Sequence, residues 1–553
     1  MNFFGVQMRS PGQLLFWLSA LLIALAMGQV VDPVFLCTDA AHHITAAQNI
    51  LDGRGYSTAV PYYAEQLAFG YIPSPQTVWP PLTSLLLVPL IVIGIPATWS
   101  PFVLALIFHI ASGWLLIKLC LRLRLSELAS YSIGIGWLFY CWPLFTVAIG
   151  LSEPMYCTFA IGSLLQLVQA TEPSARVVRN LWMSAVLALL AFLSRYLGLA
   201  IIAAHGAAAL AVVYARDGDR RIAKHVVLTV GFMLAGVLLI FGRNALLVGG
   251  IRGGPDAVFA FPIADILQSL RWAGMDVFGA KGPLWVTIPL SLAALLLIAP
   301  AVVRALRLCL GTLTGRLLSA DAMVAINALV VSFATLGILL IISRGVNPKD
   351  LQARYLMPLV PYWATLIWKS LVELRSVDRI HWARTLAIAV GIFYLLVQLS
   401  VWSRYEDAFP WSERKHLRAT LNTPYQAGTV AEFLRTNSSD SHPLMGADCQ
   451  LLGAVLERPC ISLPSATYTT AQYDEKATLA MVRQYCVHLI VPNRLNLDAR
   501  TPYPDTNKIF FIALERGYVP RWLQPVTLTP GFTVYRVTGS DAECNSKRPT
   551  DSQ

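Results

Sequence analysis

The sequence predicts an α-helical polytopic membrane protein of about eleven transmembrane helices, followed by a C-terminal extracytoplasmic α/β domain. Three observations predict it. The 553-residue chain is 56% hydrophobic and 13% charged, with a mean hydropathy of +0.58, whereas a soluble chain is about 25% charged. Apolar runs long enough to cross a bilayer recur up to residue 402. Beyond that point the composition turns ordinary and short helical and strand patterns alternate. A disordered, collagenous or plain cytosolic protein is excluded.

Apolar runs of about 17–25 residues fall at 13–31, 101–121, 130–149, 154–170, 180–194, 196–214, 225–247, 284–304, 322–342, 355–374 and 382–402. The first follows a single Arg9 and lacks a small-residue cleavage site before Asp32-Pro33, so it reads as a retained anchor. The run Leu82 to Trp99 is broken by Pro89 and Pro96 and has no charged flank. It reads as a helix lying at the interface, with a shallow re-entrant segment as the other reading.

Lys and Arg favour cytoplasmic loops. With the N-terminus inside, the cytoplasmic segments hold about 17 basic and about 7 acidic residues, a net near +10, while the outer loops sum to about zero and the tail to about +1. The formal net charge of +11, from 42 Lys+Arg against 31 Asp+Glu, is therefore a positive-inside signature. A polyanion-binding surface would gather its bases on one solvated face, so the partner is the lipid bilayer and no nucleic acid is expected.

The resulting organisation is a membrane part at 1–402, with a large first outer loop at 32–100, and an outer domain at 403–553. In the tail, helical stretches at Gln426–Arg435, Gln450–Leu456 and Asp474–Tyr485 alternate with strand-like His442–Gly446, Cys460–Leu463 and Val487–Pro492, and Val526–Val537 closes as a hairpin. Cys449, Cys460, Cys486 and Cys544 lie in this domain, where a disulfide is permitted and three full pairings are open. Cys37 is left as a free thiol, and no CxxC or Cys/His metal spacing occurs.

Charge near lipid is costly and marks pathways or sites. The outer ends of the spans collect Asp39, Glu153, Arg195, Arg243, Arg344 and Arg354. Asp39 opens a helix-like stretch and is either an N-cap or a carboxylate aimed into a cavity; His42 is the neighbour able to join it. Tyr62, Tyr63 and Trp79 precede or enter Pro80-Pro81 and either form an aromatic belt or line a cavity. Arg195 lies between two apolar helices in Ser194-Arg195-Tyr196-Leu197-Gly198, snorkelling or facing an anion. Arg344, Lys349 and Arg354 bring three outward positives close together, against the charge rule, before Tyr355-Leu356-Met357-Pro358. No Walker loop, dinucleotide glycine fingerprint, nucleophile elbow or HExxH is present. Carboxylates and guanidinium groups at one face suit group transfer from a phosphate-linked lipid: a carboxylate deprotonates the acceptor, and Arg holds charge developing on the departing phosphate.

The order Asp39, Gly53-Arg54-Gly55-Tyr56, Trp79-Pro80-Pro81-Leu82, Ser152-Glu153-Pro154, Ser194-Arg195-Tyr196 and Arg354-Tyr355-Leu356-Met357-Pro358 resembles the GT-C superfamily, nearest its bacterial protein-mannosyltransferase-like and aminoarabinose-transferase-like branch. The resemblance covers nearly all of 13–402. It implies an inverting glycosyltransferase of the bacterial inner membrane that takes a polyprenyl-phosphate-linked sugar donor and an extracytoplasmic glycan, lipid or protein acceptor. It further implies Asp39 as general base, Glu153 as a second carboxylate orienting substrate, and Arg195, Arg354, Arg344 and Arg243 on the donor phosphate. His42, Tyr62, Tyr63, Trp79, Tyr196 and Tyr355 then line the substrate cavity. Many members carry two adjacent acids in the first loop, whereas Thr38 precedes Asp39 here. That departure breaks the paired-carboxylate arrangement and the metal dependence tied to it, so no cofactor is assigned, a divalent cation being the one candidate. Two other readings stand beside this one: a lipid-linked substrate transporter or flippase without chemistry, and a degenerate scaffold that binds glycan.

Overall fold

The computed structural model describes residues 10–30, 38–61, 64–172, 176–251, 284–314, 318–342 and 353–375, and in the tail 442–446, 449–463, 474–492, 509–529 and 532–538, with a few isolated positions besides. The fold is mostly helical, and its long membrane-part helices fall on the expected apolar runs, whereas the tail helix Ile509–Glu515 is not expected from the sequence. Helix α1 (Pro11–Val30) is followed by α2 (Thr38–Leu51), the short α3 (Leu82–Val92) and the long α4 (Ser100–Arg122). Next come α5 (Glu127–Leu138), α6 (Cys141–Ala148), α7 (Glu153–Ala170), α8 (Val177–Ser194), α9 (Leu199–Tyr214) and α10 (Arg220–Val248). Helices α11 (Leu284–Leu313), α12 (Ala320–Ile342) and α13 (Val360–Arg375) complete the described membrane part.

Helix ends follow local chemistry. Ser126 caps α5 by accepting from the Ala129 amide, and Asp219 caps α10 by accepting from Arg221 and Ile222. Among the described residues six helices are long and apolar enough to cross a membrane, and the α5–α6 pair, bent by 43°, makes a seventh if it is one span. Helices α7, α11 and α13 occupy three further expected spans, and the run 382–402 lies outside the described residues. Helix α7 carries Glu153, Thr158 and Ser163 because nearly all of it is buried among other helices, where polar groups find partners. Helix α3 has 11 residues, about 16 Å at 1.5 Å each, half of a bilayer core of about 30 Å; it packs on α2 and α4.

The core of the bundle is built around α8 and α9. Ala185, Ala188, Ala191, Ala200, Ala204 and Ala208 are fully buried in it, and such small side chains let backbones approach closely. At the C-terminus a five-stranded sheet has the order β2 (Cys460–Ile461), β1 (Leu444–Gly446), β3 (Leu489–Val491), β5 (Phe532–Val537) and β4 (Leu523–Thr529). The first three strands are parallel and the last two form an antiparallel hairpin. Helices α14 (Cys449–Leu456), α15 (Glu475–Gln484) and α16 (Ile509–Glu515) accompany it. Cys449 and Cys460 are buried, and Cys486 is disulfide-bonded.

The sheet region is fastened to the first outer loop. The Cys460 amide donates to the Ala59 carbonyl at 3.0 Å, the Tyr485 hydroxyl donates to the Leu67 carbonyl, and α14 packs on α2. Leu67 is part of the apolar core beneath the sheet. The tail therefore sits at the same end of the bundle as Asp39.

Candidate active site

Four separate segments deliver one charged cluster. Asp39 stands in the first turn of α2. Glu153 is the first residue of α7, after a turn in which the Leu151 amide donates to Thr146; a carboxylate at a helix N-terminus is favoured by the helix dipole. Helix α8 stops at Ser194, and Arg195 adopts an extended conformation (φ −152°, ψ 137°) before the 3-10 turn Tyr196–Gly198. That break turns the guanidinium sideways. A Cβ on Gly198 would lie 2.2 Å from the Phe192 backbone nitrogen, so only glycine permits so tight a return. Arg354 comes from the 3-10 turn Ala353–Tyr355, just ahead of α13.

Arg195 Nη1 lies 2.9 Å from Glu153 Oε2 and donates to Ser152 Oγ at 3.2 Å. Arg354 Nη1 donates to Asp39 Oδ2 at 3.3 Å, while its Nε faces Glu153 Oε1 at 3.7 Å. Both guanidinium groups lie over the Tyr355 ring, at 5.7 and 5.1 Å from its centroid, an arrangement suited to planar cations. The side chains are 2–12% exposed. Two buried anions and two buried cations thus neutralise one another, and charge of this kind is stable in an interior only when paired.

Beside the cluster is a second group, in which the one charged side chain, Arg243, meets neutral partners. Arg243, near the end of α10, donates to the Gln76 carbonyl at 2.8 Å and the Tyr56 carbonyl at 3.4 Å, with its guanidinium over the Tyr56 ring at 5.5 Å. Tyr196 donates to the Thr77 carbonyl at 3.1 Å and accepts from Asn244 Nδ2 at 3.0 Å. Tyr56 donates to the Trp79 carbonyl at 2.7 Å. These bonds clamp the first loop onto the helix ends. The described side-chain hydrogen bonds of Arg243 and Tyr196 accordingly go to the loop backbone and to Asn244.

His42 and His43 line the inner face of α2, where Nδ1 of each meets a hydroxyl: Thr58 at 3.4 Å and Ser84 at 3.1 Å. Burial lowers the His42 pKa to about 4 and the His43 pKa to about 3, against the opposing pull of the Asp39 charge. Both imidazoles are neutral at pH 7. The Trp79 ring lies 6.1 Å from that of His43. Arg344, Tyr62 and Tyr63 lie outside the described residues.

Ser152, Gln76 and Thr77 also belong to the site and were not singled out by the sequence. Ser152 sits within the Ser152-Glu153-Pro154 motif and could have been included on that ground. Gln76 and Thr77 act through carbonyl oxygens, which every residue has, so no sequence signal marks them.

The residues described at the cluster do not by themselves make up a divalent-cation ligand set. Among the described residues no three His, Cys, Asp or Glu side chains gather as ligands. Both carboxylates already face guanidinium groups, so a cation would have to displace an arginine.

The architecture is that of the GT-C fold. Apo ArnT from Cupriavidus metallidurans is 15% identical, with 94% of this chain and 97% of that chain covered and a TM-score of 0.55. The same protein bound to undecaprenyl phosphate is 14% identical over 95% and 98% of the two chains, with a TM-score of 0.52. The oligosaccharyltransferase AglB from Archaeoglobus fulgidus, in complex with an inhibitory peptide and a dolichol-phosphate, is 12% identical over 95% of this chain and 74% of that chain, with a TM-score of 0.49. No family model matches the sequence, and no curated protein matches it.

Proposed function

We propose that the protein is an integral-membrane inverting glycosyltransferase that moves a sugar from a polyprenyl-phosphate donor to an extracytoplasmic glycan, lipid or protein acceptor. The observation that carries this reading is the buried cluster of Asp39, Glu153, Arg195 and Arg354 at one end of the helix bundle. The fold shared with ArnT, a protein solved with undecaprenyl phosphate bound, supports the donor class.

In the reaction the acceptor hydroxyl attacks the anomeric carbon and Asp39 takes its proton. The bond between that carbon and the phosphate oxygen breaks, and the polyprenyl phosphate leaves with one more negative charge. Arg354 and Arg195 face that charge with planar forks matched to phosphate. At rest the same forks hold carboxylates, so an arriving phosphate exchanges one anion for another at Arg354 and frees Asp39 for the acceptor. Glu153 keeps both guanidinium groups in place through the exchange and orients substrate. Tyr355 carries both cations on its ring, and Trp79, His42 and Tyr196 form the wall toward the first loop.

In this reading residues 1–402 form the catalytic membrane domain and 403–553 an extracytoplasmic domain, with the N-terminus in the cytoplasm and the chain in a bacterial inner membrane. The charge asymmetry of the loops supports that sidedness. So does the attachment of the tail to the Asp39-bearing loop, and the disulfide at Cys486 suits an oxidising compartment.

The test is purified protein incubated with radiolabelled polyprenyl-phosphate sugars and candidate acceptors. Asp39→Asn should lower transfer by about 10²–10⁴-fold while leaving detergent stability near that of the wild type. An Asp39→Asn protein that transfers sugar normally would remove Asp39 from the role of base.

A further inference from the structure

The Gly53-Arg54-Gly55-Tyr56 motif contributes no side chain to the ion pairs. It builds a separate groove. Helix α2 ends at Leu51, and the chain passes through Gly53 (φ +74°) and Gly55 (φ +69°), left-handed positions on either side of Arg54. Glycine adopts that conformation without steric cost, and the Arg54 amide closes the helix by donating to Asn49 at 2.8 Å. The double reversal projects Arg54 from the end of α2 into the wall of a cavity of about 520 Å³, together with Tyr56, Tyr71, Arg243, Leu246 and Leu247.

The walls divide by chemistry. Leu246 and Leu247 form the last turn of α10, a helix long and apolar enough to cross the membrane. They are 89% and 38% exposed, which at the end of a span places them at the hydrocarbon edge. Opposite them stand Arg54, with about half its side chain exposed and its nearest anion, Asp52, at 4.0 Å, and the half-exposed Tyr71. Arg243 adds a second positive charge whose hydrogen bonds go to neutral carbonyls. A free anion would need no leucine wall, and an uncharged lipid would need no arginine.

We propose that this groove binds an anionic membrane phospholipid, with its phosphate at Arg54 in the field of Arg243, its glycerol against Tyr71 and its acyl chain along Leu246 and Leu247. The volume suits a headgroup and glycerol, not an entire lipid, within the range of about 300–1,000 Å³ for small-molecule sites. The occupant would brace the loop that Arg243 clamps. This site is independent of glycosyl transfer and stands or falls separately from it.

The test is native mass spectrometry of the full-length protein in neutral detergent, with phosphatidylglycerol, phosphatidylcholine and glycerol phosphate as probes. Wild type should retain phosphatidylglycerol about tenfold better than phosphatidylcholine. Arg54→Ala should bring the two lipids to parity, Arg54→Lys should restore most of the preference, and Leu246→Asn should weaken both lipids alike. Arg354→Lys, in the ion-pair cluster, should leave retention unchanged. Equal retention of the two lipids by wild type, or retention of phosphatidylglycerol unmoved by Arg54→Ala or by Leu246→Asn, would overturn the proposal. So would displacement by glycerol phosphate at equal concentration, which marks a free-anion site, or loss of lipid in Arg354→Lys, which places it at the cluster.

Discussion

Arg195 and Arg243 both stand at the end of a membrane helix on one face of the bundle, yet their surroundings differ in kind. Arg195 meets a carboxylate at 2.9 Å and is almost buried. Arg243 meets carbonyl oxygens of the first loop and is half-buried. An arginine held by an anion can pass to another anion with little electrostatic loss, because a phosphate replaces what the carboxylate supplied. An arginine held by backbone carbonyls has no such exchange: moving it takes the side-chain donor from the Gln76 carbonyl and leaves the Tyr56 carbonyl to the Gln76 amide. The first arrangement suits binding and catalysis, the second bracing.

The comparison breaks most visibly at Arg195. On the proposed reaction, Arg195→Gln removes a donor facing the charge that develops on the leaving phosphate, and transfer should fall by about 10²–10³-fold, the usual cost of one such group. It also leaves Glu153 buried with weaker compensation, so stability should fall by up to about 3–5 kcal/mol. Restoring stability with lipid or low temperature should not restore the rate. Full turnover in Arg195→Gln would make the cluster a structural ion pair and nothing more.

The braced arginine should show the reverse pattern. Arg243→Gln removes the donor to the Gln76 carbonyl and one of two donors to the Tyr56 carbonyl and loosens the loop, and thermal unfolding in detergent should register a loss of about 1–3 kcal/mol. Once the protein is folded, its turnover should stay much nearer that of wild type than the turnover of Arg195→Gln. If Arg243→Gln proves stable but as inactive as Arg195→Gln, the division between the two groups is wrong.

How much of this was legible beforehand follows the same division. Asp39, Glu153, Arg195 and Arg354 stood out because charges at the ends of apolar runs are costly enough to need a reason. Their mutual contact was not legible, since it joins residues 315 apart for Arg354 and Asp39. Arg243 stood out for the same reason, but its partners are carbonyls, and its bracing contacts carry no residue signature. The alternating elements of the tail were legible from period and turns. The insertion of Leu67 beneath the sheet was not, because an apolar residue in a loop looks the same whether it faces lipid or a second domain. Of the expected spans, α7 is the instructive one. Its hydropathy is diluted by Glu153, Thr158 and Ser163, and burial among helices makes the dilution harmless.

The smallest effect concerns the neutral histidines behind Asp39, and it is silent at pH 7. His42 and His43 have pKa values lowered from 6.5 to about 4 and about 3, because burial outweighs the favourable charge of Asp39, and at His43 the Arg195 charge adds to the lowering. The unfolded chain takes up protons below about pH 6.5, whereas the folded chain does not until the lowered values are reached. Stability from these two groups is therefore fully present above pH 6.5 and is lost as pH falls toward 4. Thermal unfolding of wild type at pH 7.5 and pH 5 should show that loss, and His43→Gln, which has nothing to protonate, should lose less between the same two values. An equal drop in wild type and His43→Gln would mean that the imidazole is hydrated in the membrane-bound protein, and with it the inner face of the helix that carries Asp39.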